Sequence, residues 1–272
     1  KKDTYIKNLK SILSTGSPLS DDTFNFINKK INRSIPIHSI SGGTDIVSCF
    51  MLGNPMKPVF KGEIQSPGMG MDIDVFDDRG LPTRKTGELV CKSPFPSKPI
   101  YFWNDRDNKK YQLAYFTKYK NIWSHGDFVK KTVNGGYRVF GRSDTTLNPG
   151  GVRIGTAEIY NILNSIAFIS DSLAVGYKDK NDEKIILFLK SNSKINITSK
   201  QITDIKKLIK KQLSPRHVPW KCFQVNDIPR TKSGKNSEII VKKILNNDRV
   251  SNLDALANPE SLKEYKSIKI YE

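Results

Sequence analysis

Five short motifs place charged or hydroxyl-bearing side chains beside glycines, which let the main chain approach a ligand closely. In chain order they are Ser41-Gly42-Gly43-Thr44-Asp45, His125-Gly126-Asp127, Gly141-Arg142-Ser143-Asp144, Gly150-Gly151-Val152-Arg153 and Thr231-Lys232-Ser233-Gly234-Lys235. Each motif alone is a weak signal, because an ordinary Gly-rich turn has the same composition. The information lies in their order along one chain.

Lys235 offers the most direct chemistry, because an ammonium on a flexible, Gly-flanked loop acts as a compact point charge. Its loop is not a phosphate-binding P-loop, since that motif requires Ser or Thr after the lysine and Asn236 follows here. A solvated basic loop is the alternative. Thr44 and Asp45 have a similar alternative, a Gly-rich turn in which Asp45 caps the next segment.

Together, the motifs resemble those of the adenylate-forming enzymes, which include acyl-CoA synthetases, peptide-synthetase adenylation domains and luciferases. The resemblance covers nearly the whole chain, but only the C-terminal part of such an enzyme. It implies a reaction in which ATP, with Mg²⁺, converts a carboxylate to an acyl-adenylate and coenzyme A then takes the acyl group. Lys235 matches the lysine that bridges the carboxylate and the α-phosphate, where a positive charge stabilises the transition state.

The resemblance also implies a nucleotide site. The matching positions are Gly16, Ser17, Pro18, Gly43, Thr44, Asp127, Arg142 and Arg153. Thr44 corresponds to the hydroxyl that contacts the α-phosphate, and Asp127 to the carboxylate that accepts hydrogen bonds from both ribose hydroxyls. Asp45 stands where the family usually has Glu, and its oxygens would help to hold Mg²⁺. His125 stands where the family has Thr or Ser, and it is assigned no role.

Three further residues take their roles wholly from the resemblance. Asp144 matches the hinge about which a C-terminal lid moves between the two half-reactions. Gly151 matches the glycine past which the thiol of coenzyme A reaches the adenylate. Lys210 falls where some relatives have an Arg that contacts the 3′-phosphate of coenzyme A, although a solvated basic helix face has the same composition.

Within this family, three features resemble the acetoacetyl-CoA synthetases. Gly155-Thr156-Ala157-Glu158-Ile159 is typical of the branch that uses acetate and acetoacetate. Gly42 stands where acetyl-CoA synthetases have a large aromatic residue that shortens the acyl pocket, so a longer acid has room. Ala255-Leu256-Ala257-Asn258-Pro259-Glu260 also matches. For this last segment, a surface helix ended by proline is the alternative.

The composition limits the class of protein. A net charge of +18 raises nucleic-acid binding as a rival function, but no zinc-finger spacing, RNA-recognition motif or basic-zipper heptad occurs. ATP and coenzyme A would use part of that charge. No apolar run approaches the roughly 20 residues that span a bilayer. The three cysteines form no CxxC pair and suit free thiols. We therefore expect a cytoplasmic protein with no nucleic-acid partner.

The pattern of predicted helices and strands that position these motifs changes twice along the chain. Residues 1–57 alternate strand and helix patterns, including a helix from about Ser20 to Ile31. Residues 58–143 carry short strands between Gly, Pro and Asp turns, which predicts a β-rich, barrel-like subdomain. Residues 144–272 mix strands with helices, among them an amphipathic helix over 198–213. The predicted fold is the end of a large N-terminal α/β domain, followed by a small, mobile α+β lid.

These features predict an AMP-forming acid–thiol ligase that activates a short-chain carboxylate, with acetoacetate as the expected substrate. We find no Ser/Thr/Gly-rich loop of the kind that cradles the β- and γ-phosphates. We therefore expect the remainder of the N-terminal domain upstream, and no catalysis by this chain alone. The alternatives are another short-chain acyl-CoA synthetase, a carrier-protein adenylation domain, and a noncatalytic module with the same fold.

Overall fold

A computed structural model describes residues 8–31, 33–180, 182–192, 195–250 and 253–271. The chain divides into two compact units between Ser143 and Asp144, and each unit has its own hydrophobic core. The change in sequence texture predicts a boundary at this position. The assignment of the units to an adenylation domain and a lid remains a prediction, and residues 1–7 of the predicted first segment lie outside the described residues.

The first unit begins with a β-α-β segment. It consists of β1 (Ile12–Ser14), α1 (Asp21–Phe26), a π-helical turn (Ile27–Ile31) and β2 (Ile37–Ser39). The Ser20 side chain caps α1 by accepting a hydrogen bond from the Thr23 amide at 3.2 Å. β1 and β2 are parallel, and the Ile40 amide donates to the Ser14 carbonyl at 2.9 Å. The loops that follow β1 and β2 therefore leave from the same edge.

Two antiparallel sheets complete the first unit. One contains β3 (Ser41–Gly43), β4 (Ser48–Leu52) and β5 (Ser66–Pro67), and the other contains β6 (Ile73–Phe76), β7 (Gly87–Cys91), β8 (Trp123–Lys131) and β9 (Tyr137–Arg142). A short helix, α2 (Lys109–Tyr115), lies between β7 and β8 along the chain. The β-rich region is therefore as predicted, but in the described part of the chain its strands form two open sheets rather than a closed barrel.

Trp123, at the start of β8, lies at the centre of an aromatic core. The Tyr115 ring stacks on it, with 3.6 Å between ring centroids and 15° between ring planes. Phe95 meets it edge to face at 5.4 Å, and Phe50 lies at 6.2 Å. Aromatic pairs in these geometries stabilise a core beyond the area they bury. This packing fixes the start of β8, the strand that carries the predicted site residue Asp127.

The second unit surrounds one three-stranded sheet with helices. Its elements are α3 (Thr156–Leu163), β10 (Ile169–Asp179), β11 (Asp182–Ser191), α4 (Ser199–Gln212), β12 (Lys221–Gln224), α5 (Glu238–Leu245) and α6 (Leu262–Ser267). The strand order is β10–β11–β12, with β10 antiparallel and β12 parallel to β11. None of the helices in the described ranges is long and apolar enough to cross a membrane.

β11 separates two hydrophobic layers of the second unit. Ile185, Leu187 and Leu189 pack with the apolar faces of α3 and α4. Ile186 and Phe188 pack on the other side, with α5 and α6. The alternation follows from the period of two along a strand. As a result, α4 and α5 lie on opposite faces of the sheet.

Strong periodic patterns predict these elements well. The amphipathic helix over 198–213 is confirmed as α4, with Ile205 and Ile209 buried, and the capped helix near Ser20 is confirmed as α1. β8 is not apparent from the sequence. Gly126 interrupts its apolar pattern, and the register shifts between Phe128 and Val129, where such a bulge breaks strict alternation.

Candidate functional site

In the first unit, Asp127 joins three strands. It lies on β8 directly opposite Arg142 of β9. Its Oδ1 accepts a hydrogen bond from Arg142 Nη1 at 3.3 Å, and its Oδ2 accepts one from the Ser41 hydroxyl of β3 at 2.8 Å. Both contacts are charge-assisted, which makes them stronger than neutral hydrogen bonds. The structure therefore brings together the motifs that contain Ser41, Asp127 and Arg142.

Gly126 lets Arg142 lie over the main chain of β8. Its φ is +83°, and a Cβ built there would lie 2.4 Å from Arg142 Nη2. The guanidinium also donates from Nη1 to the His125 carbonyl at 3.0 Å. Glycine is the residue that meets both requirements, positive φ and close approach.

Glu88 holds the main chain of β8 at Gly126 and is itself paired with Lys118. The sequence patterns reveal neither residue. Glu88 is 1% exposed. Its Oε1 accepts the Gly126 amide and its Oε2 accepts Lys118 Nζ, each at 2.7 Å. A buried carboxylate is tolerated when its oxygens are paired in this way. The signal that could have revealed it is a single acidic residue within the apolar strand β7.

His125 has a structural environment rather than a catalytic one. The side chain is buried against Phe50, with 4.7 Å between ring centroids. Its Nε2 lies 3.3 Å from the Gly42 carbonyl, so the tautomer with a proton on Nε2 satisfies this contact. Burial lowers the pKa of the imidazole. A neutral ring in this position supports β3 through the Gly42 carbonyl.

Gly42 and Gly43 are tightly enclosed on β3. A Cβ on Gly42 would lie 2.1 Å from the Ser48 carbonyl oxygen of β4, and one on Gly43 would lie 3.0 Å from Cε1 of His125. Any side chain at Gly42 therefore meets the main chain of β4 in this structure. The acyl-pocket role of Gly42 stays a prediction.

Thr44 and Asp45 occupy the exposed turn after β3. The Val47 amide closes this turn by donating to the Thr44 carbonyl at 3.2 Å. Asp45 accepts a hydrogen bond from the hydroxyl of Tyr115. Burial, together with this carboxylate, raises the pKa of Tyr115 well above its usual value. Tyr115 therefore remains a donor that orients Asp45.

The segment Gly16-Ser17-Pro18 forms an exposed bend after β1. Gly16 has φ +93°, and no atom would meet a Cβ there within 4 Å. The pairing of β1 with β2 places this bend at the same sheet edge from which the segment leading to β3 leaves. The topology thus groups two segments of the predicted nucleotide site, while their contacts to a nucleotide stay predictions.

In the second unit, Lys235 lies at the end of an exposed tight turn. The Gly234 amide donates to the Thr231 carbonyl, and the Thr231 amide donates to the Lys235 carbonyl, both at 2.8 Å. Gly234 has φ +82°. Helix α5 begins three residues after Lys235, at Glu238. The Lys235 side chain is exposed. An ammonium in this position is accessible to a ligand.

The segment that carries Gly151 is held from two sides. The Gly150 amide donates to Asp182 Oδ1 at 2.7 Å, and Arg216 Nη1 donates to the Gly150 carbonyl at 3.1 Å. Gly151 has φ +76°, and no atom would meet a Cβ there within 4 Å. Arg153 follows on the exposed side of this segment. A fixed loop with open space at Gly151 suits the passage of a ligand.

Asp144 and Lys210 are both exposed. Asp144 is the first residue of the second unit. Lys210 lies in the last turn of α4. Because α4 and α5 pack on opposite faces of the sheet, the structure does not group Lys210 with Lys235. Their roles remain predictions.

Glu238, the first residue of α5, is a half-buried acid that the sequence patterns do not reveal. Burial, opposed in part by a hydrogen bond from Tyr160, raises its pKa to about 7. The Tyr160 hydroxyl donates to Glu238 Oε1 at 3.1 Å and accepts the Ala174 amide at 3.0 Å. Glu238 thus connects α5, α3 and β10 beneath the turn that carries Lys235.

Comparison with known proteins shows which proteins this chain is related to. The chain is 50% identical over 258 residues to the acetoacetyl-coenzyme A synthetase of Rhizobium meliloti (strain 1021), a match that covers 94% of this chain and 40% of that protein. Curated relatives of that name share 42–50% identity with the chain over their C-terminal part. The chain is related to the C-terminal part of acetoacetyl-CoA synthetases. No family model matches it.

Solved structures agree with this relationship to acetoacetyl-CoA synthetases. The acetoacetyl-CoA synthetase from Streptomyces lividans matches with a TM-score of 0.84 and 36% identity, over 94% of this chain and 40% of that one. An anthranilate CoA ligase in complex with anthranoyl-AMP matches with a TM-score of 0.75 and 18% identity, over 88% of this chain and 45% of that one. The second match shows the fold alone. The chain spans about 40% of the length of the acetoacetyl-CoA synthetases it matches.

Proposed function

We propose that this chain is the C-terminal portion of an AMP-forming acetoacetate–CoA ligase. In that reaction the carboxylate attacks the α-phosphorus of ATP and releases pyrophosphate, and the thiolate of coenzyme A then displaces AMP from the acyl-adenylate. The observation that carries the proposal is the 50% identity, over 94% of the chain, to a protein named acetoacetyl-coenzyme A synthetase. The relatives do not favour the carrier-protein or noncatalytic alternatives.

Asp127 supports this proposal through its remaining hydrogen-bonding capacity. An ionised carboxylate offers about four lone-pair sites, two on each oxygen. Ser41 occupies one site on Oδ2 and Arg142 one site on Oδ1. One site per oxygen therefore remains for the two ribose hydroxyls. Ser41 and Arg142 fix the carboxylate, so little conformational freedom is lost when ribose binds.

Thr44 and Asp45 suit the phosphates of ATP and the Mg²⁺ that accompanies them. Mg²⁺ is usually held by one or two carboxylates together with substrate phosphates and waters. The described residues contain no cluster of three or more metal-ligating side chains, and the single carboxylate of Asp45 fits that mode. When bound, the cation neutralises phosphate charge, while the Thr44 hydroxyl donates to the α-phosphate.

Lys235 and Gly151 serve the two half-reactions in this proposal. The ammonium of Lys235 lies between the attacking carboxylate and the α-phosphate, where it stabilises negative charge. The open space at Gly151 gives the thiol of coenzyme A a path to the acyl carbon. Lys210 and Arg153 contribute positive charge for phosphate groups, and Asp144 acts as the hinge between the two arrangements.

We also propose that the protein works in a reducing compartment such as the cytoplasm. Cys49, Cys91 and Cys222 are all free, as expected where thiols stay reduced. Burial raises the pKa of Cys222 to about 11. That thiol is therefore protonated at neutral pH and is not a nucleophile.

An assay of acid-dependent ATP–pyrophosphate exchange tests the proposed function. Because the chain spans 40% of its relatives, it should be assayed alone and joined to the N-terminal portion of the Rhizobium meliloti relative. We expect exchange from the joined protein only, faster with acetoacetate than with acetate, and lost in Lys235→Ala.

Three results would contradict the proposal: no exchange with any short-chain acid, exchange that prefers acetate, or exchange that persists without Lys235. Salt-dependent binding of random duplex DNA by the chain would favour the nucleic-acid rival instead. Acyl selectivity is better tested by comparing acetoacetate with acetate than by placing a larger residue at position 42. A side chain there would lie against the main chain of β4.

A further inference from the structure

The turn that carries Lys235 has no hydrophobic anchor of its own. Residues 232–235 are all exposed. The turn closes on itself through Thr231, whose Oγ1 accepts the Lys235 amide at 3.1 Å, and its first residue is held from outside, because the Lys232 amide donates to the Ala255 carbonyl at 2.9 Å. Gly234 adds conformational freedom because it has no Cβ, and no atom lies within 4 Å of the position that a Cβ would occupy. The Ala255 contact holds the first residue of the turn, so a point charge at its last residue, Lys235, needs a further support to act at one position.

Arg230 provides that support by joining the turn to the sheet. Its Nη1 donates to the Gly234 carbonyl at 2.6 Å. Its Nη2 and Nε donate to Asp171 Oδ2 of β10, at 2.6 Å and 3.2 Å. The guanidinium is planar, and its donors point in fixed directions. One side chain therefore holds the last residues of the turn at a fixed distance from β10.

Asn258 holds the main chain of Arg230 from the other side. Its Oδ1 accepts the Arg230 amide at 2.8 Å, and its Nδ2 donates to the Asp227 carboxylate at 2.6 Å and to the Ile228 carbonyl at 2.9 Å. The Ala257 amide also donates to the Arg230 carbonyl at 2.8 Å. Asn258 belongs to the segment 255–260, which the sequence alone leaves open as a surface helix.

We infer that Arg230, together with Asp171 and Asn258, forms a clamp that positions Lys235 for adenylate formation. The inference rests on the proposed function for its catalytic consequence. Arg230 is a positioning residue: it contacts the Gly234 carbonyl, not the reacting atoms. Lysine cannot replace it fully, because a single ammonium lacks the fork that reaches both Gly234 and Asp171. The clamp serves the first half-reaction, since it leaves the Gly151 segment untouched.

Amide hydrogen exchange in the 272-residue chain tests the clamp without any activity. In Arg230→Ala, we expect the amides of residues 231–236 to exchange about tenfold faster or more, with little change in α3 and α4. Arg230→Lys and Asp171→Asn should give smaller increases. Lys178→Ala, which removes an exposed ion pair with Asp248 in the same unit, is the matched control and should leave the turn unchanged. Unchanged exchange at 231–236 in Arg230→Ala would overturn the clamp.

Half-reaction kinetics test the catalytic consequence in the joined protein. Arg230→Ala should lower kcat for pyrophosphate exchange by about 10- to 100-fold, the scale of a small misplacement, with the KM for ATP changed less than about twofold. Conversion of supplied acyl-AMP and coenzyme A should continue, and Arg230→Lys should restore part of the loss. Equal loss of both half-reactions would overturn the positioning role. If the unaltered joined protein shows no pyrophosphate exchange, the proposed function fails. The amide hydrogen-exchange result still decides whether the clamp exists.

Discussion

Asp127 and Arg142 face each other across β8 and β9, and the Arg142 side chain crosses Gly126 to reach the carboxylate. The pair brings together two motifs that lie fifteen residues apart in the sequence. Ser41 adds a third motif from a different sheet. This arrangement holds the carboxylate through both of its oxygens.

The first prediction concerns the charge of Asp127. Asp127→Asn keeps the shape but replaces an acceptor-only carboxylate with an amide, so at least one ribose hydrogen bond is lost. Hydrogen bonds to charged groups contribute about 1.5–3 kcal/mol, so the KM for ATP in the joined protein should rise by about tenfold or more. Asp77→Asn, which removes an exposed pair with Arg79, is the control. A KM within about twofold of the original would rule out the ribose contact.

The second prediction concerns Gly126 and can be measured in the chain itself. Gly126→Ala requires positive φ from alanine and pushes a methyl group into the Arg142 guanidinium. We expect the free energy of unfolding of the first unit to fall by about 2–3 kcal/mol, measured by urea titration.

Gly135→Ala is the matched control for this change. Gly135 has φ +79°, but no atom lies within 4 Å of the position that an alanine methyl group would occupy. It therefore reports the backbone strain alone, about 1 kcal/mol. Equal losses from the two substitutions would show that Arg142 does not press on Gly126.

The third prediction separates the half-reactions. In the joined protein, Lys235→Ala should lower pyrophosphate exchange by about 10² or more and still allow supplied acyl-AMP and coenzyme A to form product. Gly151→Leu should do the reverse, because its side chain enters the open space beside the loop. Gly135→Leu controls for the strain of positive φ. If both variants lose both steps equally, a folding defect is the better explanation.

The fourth prediction concerns the pH dependence of stability through Glu238. Its pKa is raised from 4.5 to about 7, so the folded chain binds a proton more tightly than the unfolded chain. The stabilisation from this proton is fully present below pH 4.5 and is lost as the pH rises through about 7. Glu238→Gln keeps an acceptor for Tyr160 and removes the charge.

We therefore expect Glu238→Gln to stabilise the second unit by roughly 1–3 kcal/mol at about pH 8 and by much less at about pH 5. Urea titrations at both pH values measure this difference. Glu260→Gln, which changes an exposed acid of the same unit, is the control and should show no such trend. A pH-independent effect of Glu238→Gln would mean that Glu238 titrates near its ordinary value.

The sequence by itself determined which residues stand in the local motifs and in what order. The glycines, Asp127, Arg142 and Lys235 stand in recognisable local motifs, because a turn with positive φ or a Gly-flanked lysine is encoded by adjacent residues. Helix α4 and strand β11 were equally predictable, since their apolar periodicity is local. The relationship to acetoacetyl-CoA synthetases follows from the same motifs.

Only the tertiary structure decided what holds those residues in place. Glu88 beneath Gly126, Asp171 beside Arg230 and Tyr160 on Glu238 are contacts between residues 38, 59 and 78 positions apart. No local pattern specifies such pairs, because a side chain's partner depends on strand register and on which face of a sheet each helix covers. The open sheets of the first unit arise in the same way, since closure of a barrel depends on pairing between distant strands.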